Sequence, residues 1–109
     1  MAAEKLQEYI NSVDELQKAY SEVRKLGEII ANVGRYLNNF PYKMNVSNVP
    51  VKFVLSEDVE YRMNGDSWPS AKKLAEILSD YINKRHQVQR LYASLSDAQR
   101  NTVKPPSDI

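Results

Sequence analysis

The chain has 109 residues, with 15 Lys and Arg against 14 Asp and Glu, 42% hydrophobic residues and three glycines. One domain accounts for that length, and the composition excludes a collagen-like chain, an intrinsically disordered one and a strongly basic nucleic-acid binder. No cysteine is present, which removes disulfide frameworks, thiolate nucleophiles and cysteine-ligated zinc or iron–sulfur sites together.

The N-terminal residues show neither a charged-then-apolar signal pattern nor an Arg-rich transit pattern. No apolar run approaches the 18 or more residues that span a bilayer. With no disulfide to staple a small domain, a reducing, cytoplasmic setting is the expectation, with no membrane partner.

Between Leu6 and Phe40 the apolar residues recur every three and four positions, which predicts a first helix over about residues 3 to 39. Tyr9, Leu16, Val23, Ile30 and Leu37 form one row of sevenfold spacing. Beside it Leu6, Val13 and Tyr20 form another that continues as Gly27 and Gly34, while Leu26, Val33 and Phe40 take over one position earlier. Such drift belongs to a nearly straight helix of 3.6 residues per turn. Each glycine costs about 1 kcal/mol against alanine, so both are read either as points of close approach or as a kink near the end. Ser12 with Glu15 has capping-box spacing, and a break there is the alternative to a continuous helix. Pro41 ends the segment.

From Pro41 to Trp68 the period changes to two. Val49–Leu55 and Val59–Met63, joined by Ser56-Glu57-Asp58, predict a small antiparallel β-hairpin over about residues 49 to 64, with Met44 and Val46 as a marginal further strand. Asn64-Gly65 is a turn signal. Ser67 and Pro69 suit the start of a second helix over about residues 68 to 95, whose stripe runs from Leu74 to Leu95. Ser96 and Gln99 repeat the capping-box spacing and predict a break near Leu95, then a short helix over about residues 97 to 103 and a tail over 104 to 109.

The fold class expected is therefore α+β and mostly helical, an elongated helical hairpin with the β-hairpin at its turn. At 1.5 Å per residue the two helices are about 52 and about 40 Å long, against a diameter of about 35 Å for a compact chain of this size. Folding them back about the β-hairpin sets Leu95 beside Asp14 and Arg85 near Glu22 and Glu28. It leaves Leu6, Tyr9 and Ile10 overhanging, to be covered by the short helix through Val103 and by another subunit. In element order alone, long helix, β-hairpin and long helix resemble prefoldin-type chaperone subunits. No motif is shared, and the short last helix has no counterpart there.

Chemistry is sparse. His86, the single histidine, has no nucleophile or orienting carboxylate at helical spacing, and no histidine pair suits zinc. The adjacent carboxylates Asp14-Glu15 and Glu57-Asp58 do not converge on one cleft, and phosphate-cradling glycine loops and nucleophile elbows are missing. The expectation is a protein without catalytic residues, metal or cofactor. Charge collects at the end: residues 69 to 109 hold seven bases and four acids. Lys84, Arg85, Arg90, Arg100 and Lys104, with Tyr92 as a stacking face, are candidate contacts to an anion or nucleic acid. The reading that results is a protein–protein interaction or assembly module, a homo-oligomer with a dimer favoured. It self-associates through Leu6, Tyr9, Ile10, Val13, Leu16, Tyr20, Gly27 and Gly34, and an unidentified protein is a further partner. Two alternatives are a weak nucleic-acid-binding accessory protein and a small ligand-binding domain with an aromatic pocket near Phe53, Tyr61 and Trp68.

Overall fold

A computed structural model describes residues 2–52, 54 and 57–108. The elements in order are α1 (Ala2–Asn39), a 3-10 turn (Pro41–Lys43), β1 (Met44–Ser47), β2 (Tyr61–Asn64), a second 3-10 turn (Gly65–Ser67), α2 (Ala71–Ser94), α3 (Asp97–Arg100) and a closing 3-10 turn (Pro106–Asp108). The chain divides into two compact units, Met1–Val23 with Ala75–Ile109, and Arg24–Leu74.

Helix α1 runs unbroken past both positions where the sequence admits an interruption. Ser12 is not a cap: it is buried, and its hydroxyl donates to the Tyr9 carbonyl one turn back at 2.7 Å. That bond lets a polar side chain lie on the inward face without a partner from another element.

In the first unit α1 and α2 run antiparallel. Tyr9 lies beside Tyr92, with ring centroids 5.6 Å apart, and Tyr20 meets Tyr81 edge-on at 5.7 Å. This register is about two helical turns away from the one expected of a simple fold-back. The core is Tyr9, Leu16, Val88 and Leu95, with Leu6, Val13, Tyr81, Leu91, Tyr92 and Val103 packed against it. Two expectations are corrected here. Leu95 joins the Tyr9 cluster rather than standing by Asp14, and Tyr9, expected to overhang, is among the most buried side chains, 1% exposed. The expected contribution of Val103 is present.

The C-terminal segment reaches this core through caps. Ser96 accepts from the Gln99 amide while the Gln99 side chain accepts from the Ser96 amide, the reciprocal pair its sequence spacing predicts. Helix α3 ends at Arg100, sooner than expected, and the Arg100 guanidinium turns back onto the end of α2. It donates to the Tyr92 carbonyl at 3.2 Å and the Ala93 carbonyl at 2.8 Å, satisfying groups that a helix end leaves without partners. The Tyr9 hydroxyl donates to the Lys104 carbonyl, tying the tail to α1.

The second unit overturns the antiparallel hairpin. β1 and β2 pair in parallel, Met44 with Tyr61 through Ser47 with Asn64. The marginal strand at Met44 and Val46 is thus a true one. Residues 49–52 and 54 form no strand, and Phe53, Leu55 and Ser56 lie outside the described residues. Among the described residues of Val49–Leu55, Val51 and Val54 are both exposed, and Pro50 has no N–H to give to a ladder. Parallel strands need a crossover of a dozen or more residues, and residues 48–60 supply it. Without a hairpin, the likeness in element order to prefoldin-type subunits ends.

The crossover is pinned at both ends. Asn48 takes the left-handed conformation at φ 56° and its amide donates to the Asn64 side chain at 3.1 Å, while the Glu60 amide donates to the Lys43 carbonyl at 2.8 Å. Gly65 is required by close approach: a Cβ there would lie 2.6 Å from the Val49 side chain and 2.9 Å from the Ser47 carbonyl. The strands rest on α1 through a core of Val33, Tyr36, Met44 and Met63, where Tyr36 stacks on Tyr61 at 5.2 Å. Helix α2 begins at Ala71, later than expected. Ser70 rather than Ser67 caps it, accepting from the Lys73 amide at 3.1 Å.

Candidate interaction surfaces

The inward face of α1 differs between its two halves. Tyr9, Ser12, Leu16 and Ala19 are buried in the first, and Leu26, Val33 and Tyr36 in the second. The row from Tyr9 to Leu37 is not among the residues buried in the second half. Ile30 is 40% exposed and Leu37 is 59% exposed. Gly27 is exposed and Gly34 half-buried, and a Cβ built on either meets nothing within 4 Å among the described residues. No close approach among the described residues accounts for these glycines.

The eight residues expected at a self-association interface are thus divided. Tyr9 and Leu16 are buried in the first unit, Leu6 and Val13 are partly covered there, and Ile10 and Tyr20 remain exposed. Ile30 and Leu37 join Gly27 and Gly34 on the open face of the second unit. Both stand in the sevenfold row read from sequence, but the spacing alone does not say which part of that row stays uncovered.

The basic residues divide as well. Lys84 pairs with Asp80 at 3.1 Å, and Arg100 is engaged by the end of α2, by Asp97 at 3.2 Å and by the face of Tyr92. Tyr92 is half-buried against Tyr9, so its ring is not an open stacking face. Arg85, Arg90 and Lys104 are exposed. No ion pair of Arg85 is found among the described residues.

The aromatic pocket is not assembled from the described residues named for it. Tyr61 is committed to Tyr36, Trp68 is exposed, and Phe53 lies outside the described residues. A depression of about 260 Å³ lies in the first unit between Ile10, Val13 and Gln17 of α1 and Val103 of the tail. A second, of about 510 Å³, lies in the other unit beside Tyr42, Glu57 and Asp58. At its edge Lys43 meets Glu60 at 3.2 Å, and that hydrogen bond, with the carboxylate charge behind it, raises the Lys43 pKa above the usual lysine value. Burial raises the Tyr9 phenol above its usual value, with the neighbouring Tyr92 adding to it.

His86 is exposed, and no group of three or more metal-ligating side chains is found among the described residues. No described helix is long and apolar enough to cross a membrane. No family model, curated protein or solved structure matches the chain.

Proposed function

We propose that this protein is a non-enzymatic interaction or assembly module that self-associates through the apolar stripe of α1. One observation carries the reading: in the second unit α1 presents Ile30 and Leu37 to solvent beside Gly27 and Gly34, where an added Cβ meets nothing within 4 Å among the described residues. Exposed aliphatic side chains arranged along one helix face favour a partner that removes them from water. Tyr9 and Leu16 serve the core, so the surface offered consists of the outer part of the stripe. The nucleic-acid reading draws less support, since Lys84 and Arg100 are held by carboxylates of their own chain.

Sedimentation velocity on the full chain, from about 5 to about 500 μM, tests the proposal. The expected result is a concentration-dependent shift toward dimer that Leu37→Asp abolishes. A monomer across the whole range would remove the proposal. In a parallel gel-shift series, binding lost between about 50 and about 200 mM salt would favour the nucleic-acid reading instead.

A further inference from the structure

We infer that Asn64-Gly65 is a site of spontaneous chemical modification, where the Gly65 nitrogen displaces the Asn64 side-chain amide as ammonia, and that the folded chain withholds the reaction by clasping Asn64 to Asn48. No other asparagine of the chain precedes a glycine. A glycine nitrogen, with no Cβ beside it, is the least hindered backbone nucleophile that can follow one.

The reaction balances without a redox partner. The Gly65 nitrogen gives up its proton and bonds to the Asn64 Cγ, the Cγ–Nδ2 bond breaks, and ammonia leaves with that proton, closing a five-membered imide. Water then opens either of the ring's two bonds between a carbonyl carbon and the nitrogen, yielding an aspartate or its β-linked isomer. One water is consumed and one ammonia released.

The ring contains Cα, Cβ, Cγ, the Gly65 nitrogen and the Asn64 carbonyl carbon, so it closes only where Cβ and that nitrogen eclipse about the Cα–C bond. For an L-residue that is ψ of about −120°, outside the three main allowed regions. Asn64 has φ −77° and ψ 121°, and the peptide plane to Gly65 must turn by about 120° before attack. The folded chain opposes that turn at every atom involved. The Asn64 Oδ1 accepts from the Asp66 amide at 2.9 Å and from the Asn48 side-chain amide at 3.1 Å, which fixes the side chain. Asn64 closes the ladder opposite Ser47, and Gly65 is seated so closely on Val49 and the Ser47 carbonyl that a Cβ would not fit. The Gly65 carbonyl accepts from the Trp68 amide at 3.3 Å. Asn48 holds its end of the clasp in the left-handed region at φ 56°, which asparagine adopts more readily than most residues. In the unfolded chain water donates to the same Oδ1, so the two bonds restrain the side chain without activating it relative to that state. The rate in the folded chain therefore follows the fraction of time for which the end of β2 is open.

The full chain, incubated at mildly alkaline pH in buffer and in denaturing guanidinium chloride, tests this by peptide mass spectrometry of amide-to-acid conversion. In the denatured chain Asn64 should convert faster than any other asparagine, and in the folded chain at least about tenfold more slowly than that. Asn48→Gly keeps the left-handed backbone and removes the donor. It should speed conversion in the folded chain about threefold or more, the effect of losing one hydrogen bond of modest strength, and leave the denatured rate unchanged. Asn48→Asp, which also tolerates the left-handed region, repeats the test without the added freedom of glycine. Helix content by circular dichroism matching the unsubstituted chain accompanies each measurement. Equal rates in the folded and denatured chain overturn the protection, and folded variants that convert at the unsubstituted rate overturn the role of the clasp. A denatured chain in which Asn64 is no faster than the other asparagines overturns the site itself.

Discussion

The hydroxyl of Tyr9 offers a sensitive probe of whether the C-terminal tail holds the first unit together. Tyr9→Phe keeps the buried ring, its contact with Tyr92 and its place beside Leu16 and Val88, and deletes only the donor to the Lys104 carbonyl. Hydrogen bonds of this kind contribute about 0.5–1.5 kcal/mol net. At about 4–8 °C per kcal/mol for a domain of this order of size, the variant should melt several degrees lower. Deleting residues 96 to 109 removes the acceptor, Val103 and the bonds from Arg100 to the end of α2, and lowers the melting temperature further. In the truncated chain Tyr9→Phe should then cost close to nothing, giving a coupling of about 1 kcal/mol between hydroxyl and tail.

An alkaline signature accompanies this. The folded-state pKa of Tyr9 is raised, so its contribution is fully present below the unfolded value of 10.0 and fades as pH rises through the folded value. The gap between the original chain and Tyr9→Phe should therefore narrow above about pH 10. Thermal denaturation by circular dichroism, on the four combinations and at two pH values, measures all of this. An equal cost of Tyr9→Phe with and without the tail would refute the reasoning.

The remaining predictions concern packing, glycines and caps. Leu95→Ala, in the core of the first unit and 3% exposed, should cost about 2–5 kcal/mol in a denaturant titration. Gly34→Ala should raise the melting temperature of dilute protein, by up to about 1 kcal/mol of stability, because the added methyl meets nothing and the helix interior prefers alanine. Gly65→Ala should lower it, since the methyl would press on the Val49 side chain and the Ser47 carbonyl. Ser96→Ala should cost about 0.5–2 kcal/mol through loss of the α3 cap, read by the same melt.

What the residues alone determine is local. The three-and-four spacing from Leu6 onward, with Pro41 beyond it, defines α1, and the spacing from Leu74 to Leu95 defines α2, because helical periodicity depends only on neighbours within a turn or two. The pair Ser96 and Gln99 marks the restart after α2 for the same reason: a cap is formed within four residues. Candidate surface residues could be ranked as apolar or basic, but not as covered or open.

Only tertiary structure decides the rest, and each case turns on contacts between distant residues. Val49–Leu55 alternates as well as any strand, yet β2 pairs with Met44–Ser47, since pairing is settled by the crossover of residues 48–60 and by the shared support of Val33 and Tyr36. Arg100 reads as a free cation until the break after Leu95 brings it back onto the carbonyls of Tyr92 and Ala93. One sevenfold row supplies Tyr9 to the core of the first unit and Leu37 to solvent in the second, because identical spacing meets different packing elements: α2 and the tail in one unit, the two strands in the other.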